Sequence, residues 1–384
     1  MVLVGLFLLG LRIWYLRQEK FQYQVGQRVR ITATVRGESI KVYQKLYLVI
    51  EEIAIEIPPS ISVEYGDRLA ITGTLISSVV KVKSAQFGLL QPHFQVIAHQ
   101  QSVLAGVYKI RQRLIQGLTR WLPVDEAALD AGILLGGTED MSSQLKLAFR
   151  RTGLSHIVAA SGYNVTVVAG WTMLLFTRWF HRRLAIILGI GSIVLYVLLA
   201  GVTAAVVRAG IMSSSAWIGQ LWGREADSLW LLGLAGWVML MVNPAYASDI
   251  GFQLSMAATA GILWFRPAGD LWTSLAAQAT TIPLILHHFG SLSVIAPLAN
   301  LLLLWLVPPI MQVGAIGLVI GPVNWLVWPM LKLMTTTVIW LSSWSWSSWQ
   351  VGQLSWWWVG AYYLVVILIG QIAKLKFQNY NSKL

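Results

Sequence analysis

Two rhythms divide the chain. From about Gln18 to Gln100, apolar and polar residues alternate in short runs: "VGQRVRITATVRGE", "KVYQKLYLVIE", "EIAIEIP", "GDRLAITGTLI" and "PHFQVIAH". Gly, Pro and Ser separate the runs. A period of two marks half-buried strands, so this part predicts about five of them. Strands this short and close together predict a small closed barrel, with an OB-like barrel as the simplest match. From His156 to about residue 375 the text is almost continuously apolar. It predicts about nine helices able to span a membrane, near 157–177, 184–201, 203–221, 228–243, 249–265, 270–288, 293–319, 322–343 and 355–373. The run at 293–319 contains Pro297, Pro308 and Pro309 and predicts two half-helices.

Other stretches flank and join these parts. "MVLVGLFLLGLRIWYL" is apolar but has no basic leading region and no small-residue cleavage site, so residues 1–17 predict a short membrane anchor. In "SVLAGVYKIRQRLIQGLTRWLP", Val103, Val107, Ile110, Leu114, Leu118 and Trp121 recur at helical spacing, with Lys109, Arg111, Arg113 and Arg120 mostly off that stripe. Such a basic amphipathic helix lies in the headgroup plane of a bilayer. "VDEAALDAGILLGG" predicts a second helix with Asp125 as N-cap and Gly136-Gly137 as its stop, and "EDMSSQLKLAFRRTG" predicts a third. Residues 101–155 thus predict amphipathic helices at the membrane surface, leading into a core at 156–375 and a basic tail at 376–384.

Composition agrees with a polytopic α-helical membrane protein carrying a small N-terminal β-domain. The 384 residues are 56% apolar and 11% charged, against about 25% charged in soluble domains. Twenty tryptophans include the cluster "WLSSWSWSSWQVGQLSWWW", which predicts an interfacial aromatic belt. The net charge of +12 fits cytoplasmic loops and lipid headgroups, and also fits a nucleic-acid surface. "RWFHRR" at 178–183 and the tail "KLKFQNYNSKL" are the densest basic loops, and an even number of predicted spans separates them. The positive-inside rule places both in the cytoplasm and the β-domain outside. Arg12, Arg17 and Lys20 oppose that orientation at the first anchor.

Polar groups inside apolar text are expensive and mark candidate sites. "RTGLSHIVAASGYNVTVVAG" places His156, Ser161 and Asn164 at the mouth of a span, with Ser161-Gly162 a possible helix break. Arg208, among small residues in "TAAVVRAGIM", reads either as a cation on an anion path or as a structural partner of Asp249 or a backbone carbonyl. Asp249 and Gln253 share a helix face, and Asp249 equally suits an N-cap. Gln278, Pro283, His287, His288 and Asn300 interrupt the next apolar text. Adjacent histidines do not face each other on a helix, so His287 and His288 read as interfacial rather than as metal ligands. On the β-domain Arg28, Arg30, Arg36, Lys41 and Lys45, with Tyr43 and Tyr47, form either a surface for single strands or a solvated sheet face. No phosphate-cradling GxxxxGK[ST], no HExxH and no cysteine occurs, so no ATP motor, metal site or cofactor is expected in this chain.

"FRRTGLSHIVAASGYNVTVVAG", "TAAVVRAGIM", "NPAYASDIGFQLSMAATAGI" and "QATTIPLILHHFGSLSVIAPLANLLLL" together resemble, in order, the motifs of the ComEC family of competence proteins. The resemblance covers about residues 105–375, and residues 20–100 stand where that family carries an OB-like domain. It implies a channel passing single-stranded DNA across the cytoplasmic membrane in natural transformation. A separate DNA receptor, nuclease and cytoplasmic motor would be its partners, and a homo-oligomer is one form it could take. His156, Ser161, Asn164, Arg208, Asp249, Gln253 and Asn300 would be the translocation residues, with none catalytic. Asn164 stands where the family usually has His, which keeps hydrogen bonding and removes a titratable imidazole. Longer members end in a metallo-β-lactamase-like domain whose HxHxDH signature is absent here, which implies a permease core without a nuclease or a piece of a longer protein. Two other classes compete with the channel: a small-anion transporter anchored by Arg208, and an intramembrane hydrolase assembled from His156, Ser161 and Asp249.

Overall fold

A computed structural model describes residues 25–34, 40–42, 45–50, 53–58, 67–77, 87–99, 103–137, 140–224, 227–266, 269–366 and 368. The predicted anchor, the basic tail and Arg36 lie outside the described residues. The chain divides into two compact units within one helix, between Leu114 and Ile115.

The first unit is a six-stranded sheet: β1 (Arg28–Thr34), β2 (Ile40–Val42), β3 (Lys45–Ile50), β4 (Ile53–Ile57), β5 (Asp67–Ser77) and β6 (Phe87–His99). Its order is β1-β5-β6-β4-β3-β2. The run "KVYQKLYLVIE", expected as one strand, forms the antiparallel pair β2–β3, with Lys41 opposite Leu46 and Val42 opposite Lys45. All pairings are antiparallel except β4 with β6. The two ends of the order, β1 and β2, are neighbours in sequence. Alternation along β5 buries Leu69, Ile71 and Leu75, which pack with Ile53, Ile55 and Leu89. Val29 and Ile31 of β1 pack on this cluster, leaving Arg28 and Arg30 exposed. The β5–β6 register shifts between Thr72 and Thr74, opposite Gln91-Pro92. Proline has no N–H for the ladder, and a bulge is where a sheet tolerates it.

The second unit is helical. After α1 (Val103–Thr119) come α2 (Val124–Leu135), α3 (Ser143–Arg151) and the four-residue α4 (Ser155–Val158). Then follow α5 (Gly162–Trp179), α6 (Arg182–Leu199), α7 (Ala204–Leu221), α8 (Ser228–Val242), α9 (Ile250–Phe265) and α10 (Asp270–Phe289). The proline-bearing run is split, as its prolines predict, into α11 (Ala296–Leu303), a 3-10 turn and α12 (Val307–Gly317). The described part closes with α13 (Asn324–Ser342) and a last helix over 356–366, α14. Each predicted span therefore carries a helix. Two stretches among the described residues, Arg182–Leu199 and Ala296–Gly317, are long and apolar enough to cross a membrane by length and composition.

One helix departs from its expected place. The stretch 124–135 was expected at a surface, yet α2 is buried at every residue from Glu126 to Leu135. It packs against α4, α12 and α13. Pro123, not Asp125, occupies its N-cap position. Asp125 instead accepts a hydrogen bond from the Ser142 N–H at 3.4 Å. Glu126 faces Lys332 of α13 at 3.3 Å. α3 keeps the predicted amphipathic form: Ser142 caps it by accepting from the Leu145 N–H, and Leu145, Ala148 and Phe149 form its buried face.

Candidate functional site

The helix expected to begin near residue 157 is interrupted. α4 ends at Val158, Ala159 and Ser161 are extended, and α5 starts at Gly162. Glycines make the seat for this break. A Cβ at Gly132 would lie 2.5 Å from Val158 Cγ1, and one at Gly136 would lie 2.9 Å from Ala160 Cβ. Gly132 lies in the last turns of α2 and Gly136 is the non-helical residue that ends it, and both leave bare backbone against residues 158–160.

Polar side chains hold the break in place. The Ser161 hydroxyl donates to Asn164 Oδ1 at 2.9 Å, and Asn164 Nδ2 donates to the Ile133 carbonyl at 2.6 Å. Ile133 lies in the last turn of α2, where carbonyls lack helical donors. Asn164 is buried, and its whole hydrogen-bonding capacity at this point is amide chemistry, with no proton exchange required. His156 sits apart from this pair. Its Nδ1 is 3.1 Å from the Gly153 carbonyl, and its ring keeps open surface.

Arg208 of α7 joins the other side of the break. It is buried, and its Nη1 donates to the Ser255 carbonyl and the Thr259 hydroxyl of α9. The partner is thus α9 backbone and hydroxyl, not Asp249. Arg208 Nη2 would lie 2.8 Å from a Cβ at Gly162, so the guanidinium packs directly against the start of α5. Arg208 Nε has no hydrogen-bond partner among the described residues. α5 also begins without a side-chain cap bond from Ser161. A guanidinium and an uncapped helix N-terminus therefore share one place, and both favour an anion.

The remaining predicted residues form two further clusters. Asp249 caps α9, accepting from the Phe252 N–H at 2.7 Å. Gln253 donates to the Ala247 carbonyl at 2.8 Å, and its Oε1 is 2.8 Å from His288 Nε2. His287 Nδ1 is 2.6 Å from the Leu354 carbonyl, and its ring packs tilted against Trp356, with ring centroids 4.0 Å apart. These contacts clasp the C-terminal end of α10 between α9 and the start of α14. At the other end of α10, Asn300 of α11 donates to the Ser274 hydroxyl at 2.6 Å. Along a helix, Ser274 and His288 are about 21 Å apart at 1.5 Å per residue. On the β-domain Arg28 and Arg30 are exposed on β1, while Lys41 and Lys45 lie on β2 and β3.

Some polar partners were not singled out in the sequence. Pro283 lies inside α10 and leaves the Ala279 carbonyl without its usual donor. The Tyr362 hydroxyl donates to that carbonyl at 2.7 Å, and Tyr363 donates to the Thr280 carbonyl at 2.6 Å. The proline flags the orphan carbonyl, but nothing local names a donor so far along the chain. Ser255, Thr259 and Ser274 were likewise silent, because a hydroxyl in a helix ordinarily bonds its own backbone. Among the described residues no group of three His, Asp or Glu side chains could hold a metal ion.

The class these features define is a helical bundle that turns polar side chains inward at broken or proline-bearing helices and carries a small β-sheet before it. Its family follows from comparison. The family model described as "Competence protein" matches residues 133–376, so the chain belongs to the competence-protein family. It is 28% identical over 207 residues to ComE operon protein 3 of Bacillus subtilis, covering 51% of this chain and 27% of that protein. It is 26% identical over 220 residues to competence protein ComA of Neisseria gonorrhoeae, covering 50% of this chain and 31% of that one. The match therefore spans under a third of either relative's length. No solved structure matches the chain significantly.

Proposed function

We propose that this protein is a multi-pass channel of the cytoplasmic membrane that passes single-stranded DNA inward during natural transformation. The observation that carries the reading is the anion-favouring place between Arg208 and the start of α5, built from two stretches that resemble competence motifs. A phosphate backbone is met by guanidinium forks and helix N-termini, and Arg208 spends only Nη1 on α9. The apolar exterior supports a lipid surround. Leu174, Leu175 and Trp179 of α5 are exposed, and a soluble surface seldom shows such a patch.

In this reading His156, Ser161, Asn164, Asp249, Gln253 and Asn300 keep translocating helices in shape or meet the strand at their ends. The sheet supports an OB-like barrel. A strand order with one parallel pair, β4 with β6, and with β1 and β2 at its two ends is compatible with a Greek-key barrel. Arg28 and Arg30, with Arg36, Lys41 and Lys45, would engage DNA on the outer side, and the C-terminus would be cytoplasmic. A receptor, a nuclease and a motor would be separate proteins, and a homo-oligomer would be compatible with the fold.

The test is transformation in a competent host. Deleting the gene should abolish uptake of DNA without slowing growth, and Arg208→Met should reproduce the loss at normal protein level. Unchanged transformation in the deletion strain would overturn the reading. Purified protein in liposomes that moved inorganic phosphate but not oligonucleotide would assign a small-anion transporter instead.

A further inference from the structure

The least expected group in the helical unit is Asp130. It sits in the middle of α2, has no solvent exposure, and neither of its carboxyl oxygens has a hydrogen-bond partner among the described residues. Its carboxyl lies flat on α12: a Cβ at Gly314 would be 2.9 Å from Oδ1 and 3.3 Å from Oδ2. One turn further along α12, Gly317 receives the side chain of Asn324 in the same way. Asn324 Nδ2 donates to the Gly317 carbonyl at 3.0 Å, and its Oδ1 has no hydrogen-bond partner among the described residues. α12 thus meets two oxygen-bearing side chains through a bare glycine face.

Among the described residues no cation answers the carboxyl. On its own helix Asp125 and Glu126 are both acidic, and Glu126 holds Lys332. α12 has no titratable side chain, and α13 has Lys332 alone. α4 contributes His156, which is occupied with the Gly153 carbonyl. α5, which reaches the far end of α2 through Asn164, carries Tyr163 and Arg178. α3, linked through Ser142 to Asp125, carries Lys146, Arg150 and Arg151, none of them paired with Asp130.

An ionised carboxylate with neither a hydrogen bond nor a countercharge is costly to bury, and the neutral acid costs far less. We propose that Asp130 is a proton-binding site at the α2–α12 contact, and that the protonated acid is the form this contact admits. The proton comes from water and returns to it, so no other reactant is needed. The inference does not depend on the channel reading.

α2 lies before the first predicted span, and burial raises its Asp130 pKa to about 8. The sign for stability follows. Between the ordinary carboxylate range and about 8, the folded chain holds a proton that the unfolded chain has released. Asp130 therefore lowers stability progressively as pH rises through that window, and the fall levels off above it.

Infrared spectroscopy of the full chain in detergent tests the site. At neutral pH the wild type should show the carbonyl stretch of a neutral carboxylic acid, and Asp130→Asn should lack it. Gly314→Ala, which puts a methyl group against the carboxyl, should shift its frequency. Should Asp130→Asn fail to fold, wild type alone decides: the acid band should titrate away with a midpoint near 8. Melting temperature should fall with pH in wild type and stay flatter in Asp130→Asn. Absence of the acid band at neutral pH overturns the proposal. So does a sodium-dependent rise in melting temperature that Asp130→Asn abolishes, since it would make the occupant a sodium ion.

Discussion

β5 and α5 sort their side chains in opposite ways. On β5, Leu69, Ile71 and Leu75 are inside and Arg68 is outside. On α5, Asn164 is buried with Val165 and Ala169, while Leu174 is 69% exposed and Leu175 56%. The sheet is organised by removing apolar surface from water. The helical unit turns Asn164 inward, where it accepts from Ser161 and donates to the Ile133 carbonyl, and leaves leucines outside. The two parts therefore sort their side chains differently, and the stability of each should answer to different substitutions.

The largest effect is expected in the sheet. Ile71→Ala empties a filled core position and should cost about 2–5 kcal/mol, read by denaturation of the full chain followed through its β signal. A loss under a tenth of that would break the comparison from the sheet side. Next comes Asn164→Leu, which raises apolarity yet leaves the Ile133 carbonyl and the Ser161 hydroxyl without their partner. It should cost about 1–3 kcal/mol in detergent unfolding. Asn164→His sharpens the point, because a neutral imidazole can still bond, and transformation should survive it far better than it survives Asn164→Leu.

Tyr362→Phe should have a smaller effect, about 1 kcal/mol, since it uncaps only the Ala279 carbonyl freed by Pro283. It should also speed hydrogen exchange in the middle of α10. The smallest stability change belongs to Arg30→Ala on the exposed face of β1, expected within about 0.5 kcal/mol. If that face meets DNA, oligonucleotide binding should still weaken uniformly across sequences, and its salt slope should drop by about 1. An unchanged slope would leave Arg30 a solvated surface residue.

Much of the layout was legible because it is periodic. Period-two alternation marked the strands, and apolar length marked the helices, with Pro297, Pro308 and Pro309 announcing the split between α11 and α12. The run at 40–50 reads as one element because β2 and β3, close neighbours in sequence, share one alternating rhythm. The sequence places α2 among amphipathic surface helices, and nothing local to Asp125, Glu126 or Asp130 signals burial. Lys332, which partners Glu126, and Gly314, which makes room for Asp130, lie far along the chain.

The candidate site divides in the same manner. The Ser161-Gly162 break and the capping ability of Asp249 are local properties, written in residue type and neighbours. The clustering is not. Seven polar residues read as one set fall into separate groups: Ser161, Asn164 and Arg208 around the start of α5, Gln253 with His288, Asn300 with Ser274, and His156 and Asp249 on local backbone bonds. By itself the sequence determined which segments are strands or helices, where they break, and which polar groups need partners, because these depend on spacing and backbone chemistry within a few residues. Only the tertiary structure decided which partner each group meets: α9 for Arg208, the end of α2 for Asn164, and none among the described residues for Asp130. Such pairings join residues far apart in sequence through glycine faces, and their selection is an outcome of packing rather than of any local pattern.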